Sequence, residues 1–145
     1  MRYTPLIAAL ALAGCATVDY DLTLMPRDSG TIYRGTVSRL GDAEGAISIT
    51  VGDKTYTGTW VETQPSTTVG FVSGFGWGRR GHFGSGFVTM DNPEGGAAKA
   101  LLRAPDGSGM RCDLRSGTGR GGGTCRDDRG REYDVQIRPA AVAAK

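Results

Sequence analysis

Met110-Arg111-Cys112-Asp113-Leu114-Arg115 alternates an apolar with a charged side chain at every step. A β-strand sends successive side chains to opposite faces, so this run offers Met110, Cys112 and Leu114 to a core and its charges to water. Wound into a helix, the same residues would spread both sets around the axis. The pattern recurs in both directions along the chain. Tyr20, Leu22 and Leu24 alternate with Asp19, Asp21 and Thr23, and Ile47, Ile49 and Val51 with Ser48 and Thr50. Tyr56, Gly58 and Trp60 alternate with Thr55, Thr57 and Thr59; Tyr133, Val135 and Ile137 alternate with Glu132, Asp134, Gln136 and Arg138. Further strands are expected over 31–40, 67–73, 86–91 and 97–104. Residues 97–102 also admit a short helical turn, hemmed in by glycine upstream and by Pro105 downstream.

Turn chemistry separates these runs: Gly52-Asp53, Asp91-Asn92-Pro93, Pro105-Asp106-Gly107 and Arg129-Gly130 carry residues suited to the backbone angles of tight turns. Roughly eight short strands in one small domain must hide their edges, by closure or by stacking two sheets. The expected fold is therefore all-β: a small antiparallel barrel or barrel-like roll, with a β-sandwich as the alternative. An internal echo favours a meander of similar hairpins, since Arg34, Gly45 and Tyr56 recur as Arg111, Gly122 and Tyr133, each 77 positions later.

The N-terminus follows other rules. Arg2 precedes an apolar stretch from Pro5 to Ala13, about the length of a secretory signal and well short of the roughly 20 apolar residues that span a bilayer. It closes on Leu12-Ala13-Gly14-Cys15. The small pair Ala13-Gly14 fits an ordinary secretory signal too, but a cysteine directly after it resembles the lipobox of bacterial lipoprotein precursors. That resemblance implies cleavage between Gly14 and Cys15, a diacylglyceryl group on the Cys15 thiol and acylation of the new amine. No cofactor other than this covalent lipid is expected. Ala16 resembles the outer-membrane sorting case, so the domain is expected at the outer membrane, on its periplasmic face, with the outer face as the alternative. A single acyl chain holds a protein only marginally, whereas several on one residue make the tether stable. The expected organisation is a signal peptide over 1–14, a lipidated tether over 15–18, one β domain over 19–138 and a disordered tail over 139–145.

With Cys15 taken by lipid, Cys112 and Cys125 remain as an even pair in an oxidising compartment, and a disulfide between them is expected. Free or metal-bound thiols are the alternative, weakened by the lack of a C-x-x-C motif and by a single histidine, His82. The intervening 116–123 reads as a floppy glycine loop stapled at its base. The stretch from Gly107 to Ile137 reads as a pinned hairpin followed by an edge strand. It resembles the C-terminal part of small uncharacterised proteobacterial outer-membrane lipoproteins through Cys112, Cys125 and Tyr133, a resemblance that brings no activity with it.

A formal net charge of +2 argues against a nucleic-acid partner, which calls for a strongly basic domain. The segment 70–87 stands apart, with glycine alternating loosely with aromatics around a basic centre. One reading is a long mobile loop with Phe71 and Phe87 tucked into the core at its ends. The other is a contact loop, in which Phe75, Trp77 and Phe83 meet an interface or stack on sugar rings while Arg79 and Arg80 bind phosphates or carboxylates. Catalytic signatures are missing from the sequence. His82 within that loop makes a rigid Ser-His-Asp arrangement unfavourable, and no H-E-x-x-H, phosphate-loop or calcium-loop pattern is present. Asp127 and Asp128 would face opposite sides of a strand or cap backbone amides in a turn. No catalytic or metal-ligating residue is assigned. The sequence thus leads to a non-enzymatic module, membrane-bound through its lipid, that binds or braces peptidoglycan, lipopolysaccharide or another envelope protein. The alternatives are a periplasmic inhibitor or accessory subunit, by analogy with lysozyme-inhibiting β lipoproteins, and a small hydrolase.

Overall fold

A computed structural model describes residues 18–39, 43–76, 82–117 and 119–141, with the backbone alone for 74–76 and 82–84. It contains β1 (Val18–Pro26), β2 (Tyr33–Arg39), β3 (Glu44–Val51), β4 (Lys54–Gln64), β5 (Thr67–Gly76), β6 (His82–Asp91), β7 (Gly96–Arg103), β8 (Gly109–Gly117), β9 (Arg120–Asp127) and β10 (Glu132–Pro139). In the order β1-β10-β9-β8-β7-β4-β3-β2 the strands close into an antiparallel barrel, while β5 and β6 form a two-stranded sheet of their own. An eight-stranded barrel is just wide enough for its side chains to fill. Leu22, Leu24, Ile47, Ile49, Met110 and Cys125 are almost fully withdrawn from water, and each is the apolar member of an alternating run. Among the described residues no polar or charged residue is buried: charges in mid-strand fall on the outward beat, and Arg39, Lys54, Glu62 and Asp127, which share the beat of Val37, Tyr56, Trp60 and Cys125, stand at or near strand ends.

Up-and-down connection sorts the strand ends onto two rims. At one rim the pairs Val18↔Arg39, Glu44↔Val61, Gly96↔Ser116 and Tyr20↔Pro139 bring together the first and last barrel strands. The ribbon of β5 and β6 leaves from this rim, where the β4–β7 ladder shifts register between Glu62 and Gln64. At the opposite rim the turns are tight. Gly107 (φ 87°) and Gly130 (φ 83°) adopt left-handed angles that a side chain would oppose, and Asp106 and Asp127 brace those turns by accepting from the amides of Ser108 and Arg129.

The ladders show a two-fold repeat. Leu22 faces Gly35, Gly35 faces Ile49, and Ile49 faces Tyr56. In the second half Ala100 faces Cys112, Cys112 faces Cys125, and Cys125 faces Tyr133. Even the seams correspond, with Trp60 facing Ala100 and Ile137 facing Leu22. The echo of Arg34 and Tyr56 in Arg111 and Tyr133 is thus a structural equivalence. Gly45 is the exception. It faces Trp60, the counterpart of Ile137, and Ile137 faces Gly121 rather than Gly122.

Several expectations need correction. The glycines at 121–123 are not loop but strand: β9 lies between β8 and β10, and a Cβ on Gly121 or Gly123 would run into the carbonyl oxygens of Arg115 or Asp113. Glycine there permits close backbone approach, not floppiness. The last strand is not an edge, since β10 pairs with both β1 and β9. The expected tail begins later than residue 139, because Pro139 belongs to β10 and the Ala140 amide donates to the Asp19 carbonyl at 3.4 Å. Residues 97–102 form β7, not a helical turn. The expected loop at 70–87 is largely a ribbon of two paired strands, taken up below. Cys15, the Gly14–Cys15 junction, the signal segment and the end of the tail lie outside the described residues.

Cys112 and Cys125 are disulfide-bonded across directly opposed positions of β8 and β9. Replacing both with alanine should lower stability by about 3 kcal/mol, the chain-entropy value for a loop of that length, as read from equilibrium urea unfolding. A loss near zero would show that barrel closure, not the staple, limits unfolding.

Candidate functional site

Among the described residues, six of the eleven exposed large hydrophobic side chains belong to the ribbon. Its ladder runs without interruption from Thr67↔Asp91 to Gly76↔His82. Strand pleating puts Val69, Phe71 and Ser73 on one face opposite Thr89, Phe87 and Ser85, and places Gly70, Val72, Gly86, Val88 and Met90 on the other. Phe71 and Phe87 meet edge to face with ring centroids 5.6 Å apart, yet they remain 63% and 80% exposed. The two phenylalanines therefore pack on each other and not into the core, against the first reading of this segment. Val69, Val72 and Met90 are exposed as well. Across the whole span between Glu62 and Asp91 the only charged side chains are Arg79 and Arg80. A lone two-stranded hairpin is marginally stable in water at best. This one is held at its base, where the Asn92 amide donates to the Ser66 carbonyl at 2.8 Å and the Asn92 side-chain carbonyl accepts from the Glu94 amide at 3.1 Å.

Of the proposed contact residues, Phe75 and Phe83 occupy opposed ladder positions in β5 and β6. Trp77, Arg79 and Arg80 lie outside the described residues. His82 opens β6 rather than sitting in a loop.

The tight rim is built from charge. Arg131 donates to both carboxylate oxygens of Asp28 at 2.8–3.1 Å, and Arg27 reaches Glu132 at 2.7 Å and Asp134 at 2.9 Å. These pairs tie the segment around β1 to β10. The Arg131 guanidinium lowers the carboxyl pKa of Asp28, and Arg126 with Arg27 does the same for Glu132. Asp106 is held far below the usual carboxylate range by the Lys54 ammonium and by hydrogen bonds from Ser108. Asp127 and Asp128 act as caps: Asp127 accepts from the amides of Arg129 and Arg131 and from the Tyr133 hydroxyl at 3.1 Å, and Asp128 accepts from the Gly109 amide. Each carboxylate here has a turn or an arginine to hold, so the cluster reads as a structural lock.

The other rim is open. Tyr20, Val37, Trp60, Ala98, Leu114 and Ile137 wall a space of about 130 Å3 inside the barrel mouth. Arg39, Glu62, Arg115 and Arg120 stand at its lip, and Ser66 at the ribbon's base borders it. The Trp60 indole is anchored by donating to the Ser38 carbonyl at 3.0 Å. Sequence reasoning placed several of these residues in the core but did not group them. Which inward residue stands last before a rim depends on register and stagger, and those are not written in period-two alternation. Among the described residues no group of three or more His, Cys, Asp or Glu is placed to hold a metal ion. No family model, curated protein or solved structure matches the chain.

Burial and the hydrogen bond to the Asp127 carboxylate push the Tyr133 hydroxyl up to about 12 from its ordinary value of 10.0. The folded state thus keeps the phenol neutral where the unfolded chain already ionises it. This contribution to stability is complete below pH 10 and lost as pH rises from 10 towards 12. Tyr133→Phe should flatten that part of the alkaline stability curve in denaturant titrations. An identical alkaline slope in the variant would mean that other groups set it.

Proposed function

We propose that this chain is an outer-membrane-anchored, non-enzymatic envelope module. In this reading Cys15 carries the lipid, the barrel sits on the periplasmic face, and the ribbon is the element that contacts a partner. The observation that carries it is the ribbon itself: a charge-poor pair of strands with phenylalanine, valine and methionine side chains in water. Apolar surface of that kind on a small domain marks an interaction site, and both outer edges of a two-stranded sheet offer unpaired backbone groups. A protein partner that adds a strand to the ribbon and covers its phenylalanines satisfies both needs at once. A polysaccharide would satisfy neither the edges nor the aliphatic face, although the Arg79-Arg80 pair suits an anionic one. The rim that releases the ribbon also carries the start of β1. Only residues 16 and 17 separate Cys15 from Val18, so lipid on Cys15 holds the ribbon on the membrane side of the barrel.

Metabolic labelling with a fatty-acid analogue tests the anchor. Cys15→Ser should remove the label and leave the precursor uncleaved, whereas label retained on the variant would sink the assignment. For the ribbon, in vivo crosslinking of the full chain should capture an envelope protein that the double variant Phe71→Ser/Phe87→Ser loses. Capture undiminished in the double variant, or capture of peptidoglycan or lipopolysaccharide with no protein, would overturn the proposed contact.

A further inference from the structure

The barrel mouth is apolar within and basic at its lip, and we propose that it binds a single-chain amphiphile with an anionic head, tail inside the barrel and head at the lip. This assignment rests on the mouth alone and does not depend on lipidation at Cys15 or on a partner for the ribbon. At this end two bulky wall residues are set against glycine. Trp60 faces Gly45 across the β3–β4 ladder, and Ile137 faces Gly121 across the β9–β10 ladder. Trp60 and Ile137 thus each have a glycine as a neighbour, whereas Tyr20 faces Val37 and Pro139. At the tight end Tyr56 faces Ile49 and Tyr133 faces Cys125, and all four are buried.

The remaining space of about 130 Å3 is close to the roughly 150 Å3 cavity that admits a benzene-sized guest when lined by aliphatic and aromatic groups. It suits a run of methylenes. Val37, Ala98, Leu114 and Ile137 give a sugar or peptide backbone nothing to hydrogen-bond, with the hydroxyl-bearing Tyr20, Ser66 and Ser116 bordering the same space. The lip selects the head: among the described residues Arg39, Arg115 and Arg120 border it with one carboxylate, Glu62. Arg115 contacts Glu94 at 3.9 Å, and Arg120, paired with Gly117 of β8, borders the mouth. Guanidinium groups bind carboxylate and phosphate oxygens in charge-assisted pairs and repel an ammonium.

Trp60 reports on occupancy. The chain has two tryptophans, so Trp77→Phe leaves Trp60 as the sole emitter. In the full chain held in nanodiscs, with variants compared at equal lipid content, octanoate should shift Trp60 emission saturably. Octanol should bind more weakly and octylammonium least. Octyl phosphate distinguishes the source: tighter binding than octanoate assigns the site to a phosphate-headed lipid, weaker binding to a free fatty acid. Ala98→Phe should abolish the shift by filling the mouth, with Ala98→Leu as the substitute if the larger side chain melts the barrel. Arg120→Ala should weaken octanoate roughly tenfold to a hundredfold, the loss of about one charge-assisted hydrogen bond, and leave octanol unchanged. Calorimetry on the same samples detects binding silent to the indole. Octylammonium binding as well as octanoate, retention of octanoate by the Ala98 variants, or neither heat nor shift would overturn the proposal.

Discussion

The ladder between β1 and β10 is the constraint on which everything else hangs. Seven pairs, from Tyr20↔Pro139 to Pro26↔Tyr133, join the two barrel strands most distant in sequence. Without them the barrel is an open sheet with two bare edges and a core exposed along its seam. With them every barrel strand has two neighbours and Leu22, Leu24 and Val135 are sealed. The ion pairs of Arg27 with Glu132 and Asp134, and of Arg131 with Asp28, sit at this same seam. Their exposed positions make each worth little alone. They specify which strands meet, more than they hold them together. Contacts so remote in sequence also slow folding, because the chain must close a long loop before the seam returns anything.

The two-fold repeat shows how equal halves have been put to unequal use. Gly35 and Ile49 occupy the ladder positions that Cys112 and Cys125 occupy in the other half, so the staple was accommodated in a pair that elsewhere is glycine against isoleucine. Tyr56 and Tyr133 are equivalent, but Tyr133 hydrogen-bonds the Asp127 carboxylate while the nearest hydroxyl to Tyr56 is Ser108 at 3.5 Å. The larger difference lies between the halves. At the seam of β4 and β7 the chain detours through the ribbon, whereas the equivalent seam of β10 and β1 joins the last barrel strand to the first. An element with little packing of its own has been added where the repeat leaves a natural gap.

Much of this was legible in the chain because a barrel wall is written in a period of two. The inward beats of β1, β3, β4, β8 and β10 were all visible, and so was the pairing of the two cysteines. What escaped is instructive. Gly121, Gly122 and Gly123 look like a loop by composition, since sequence alone does not distinguish a glycine needed for freedom from one needed because a neighbouring carbonyl leaves no room for Cβ. Segment 70–87 was half legible: the strands expected over 67–73 and 86–91 are there, but they run on to Gly76 and start at His82, because its glycines break the alternation on one face while Val69, Phe71 and their partners keep it on the other. The mouth was invisible as a site. Tyr20, Ala98, Leu114 and Ile137 come from four strands, and only register sets them at one level.

The meeting of the first and last barrel strands at the rim that releases the ribbon has a topological consequence. The Ala140 amide reaches back to the Asp19 carbonyl, so the two ends of the barrel wall already lie within a short link of each other. Where the polypeptide is cut matters little to such a ring. Linking those ends and opening the chain within the ribbon would yield the same eight staves in rotated order. By this reasoning the barrel is a closed hoop with two interchangeable clasps, and the chain as it stands happens to be threaded with the ribbon at one of them.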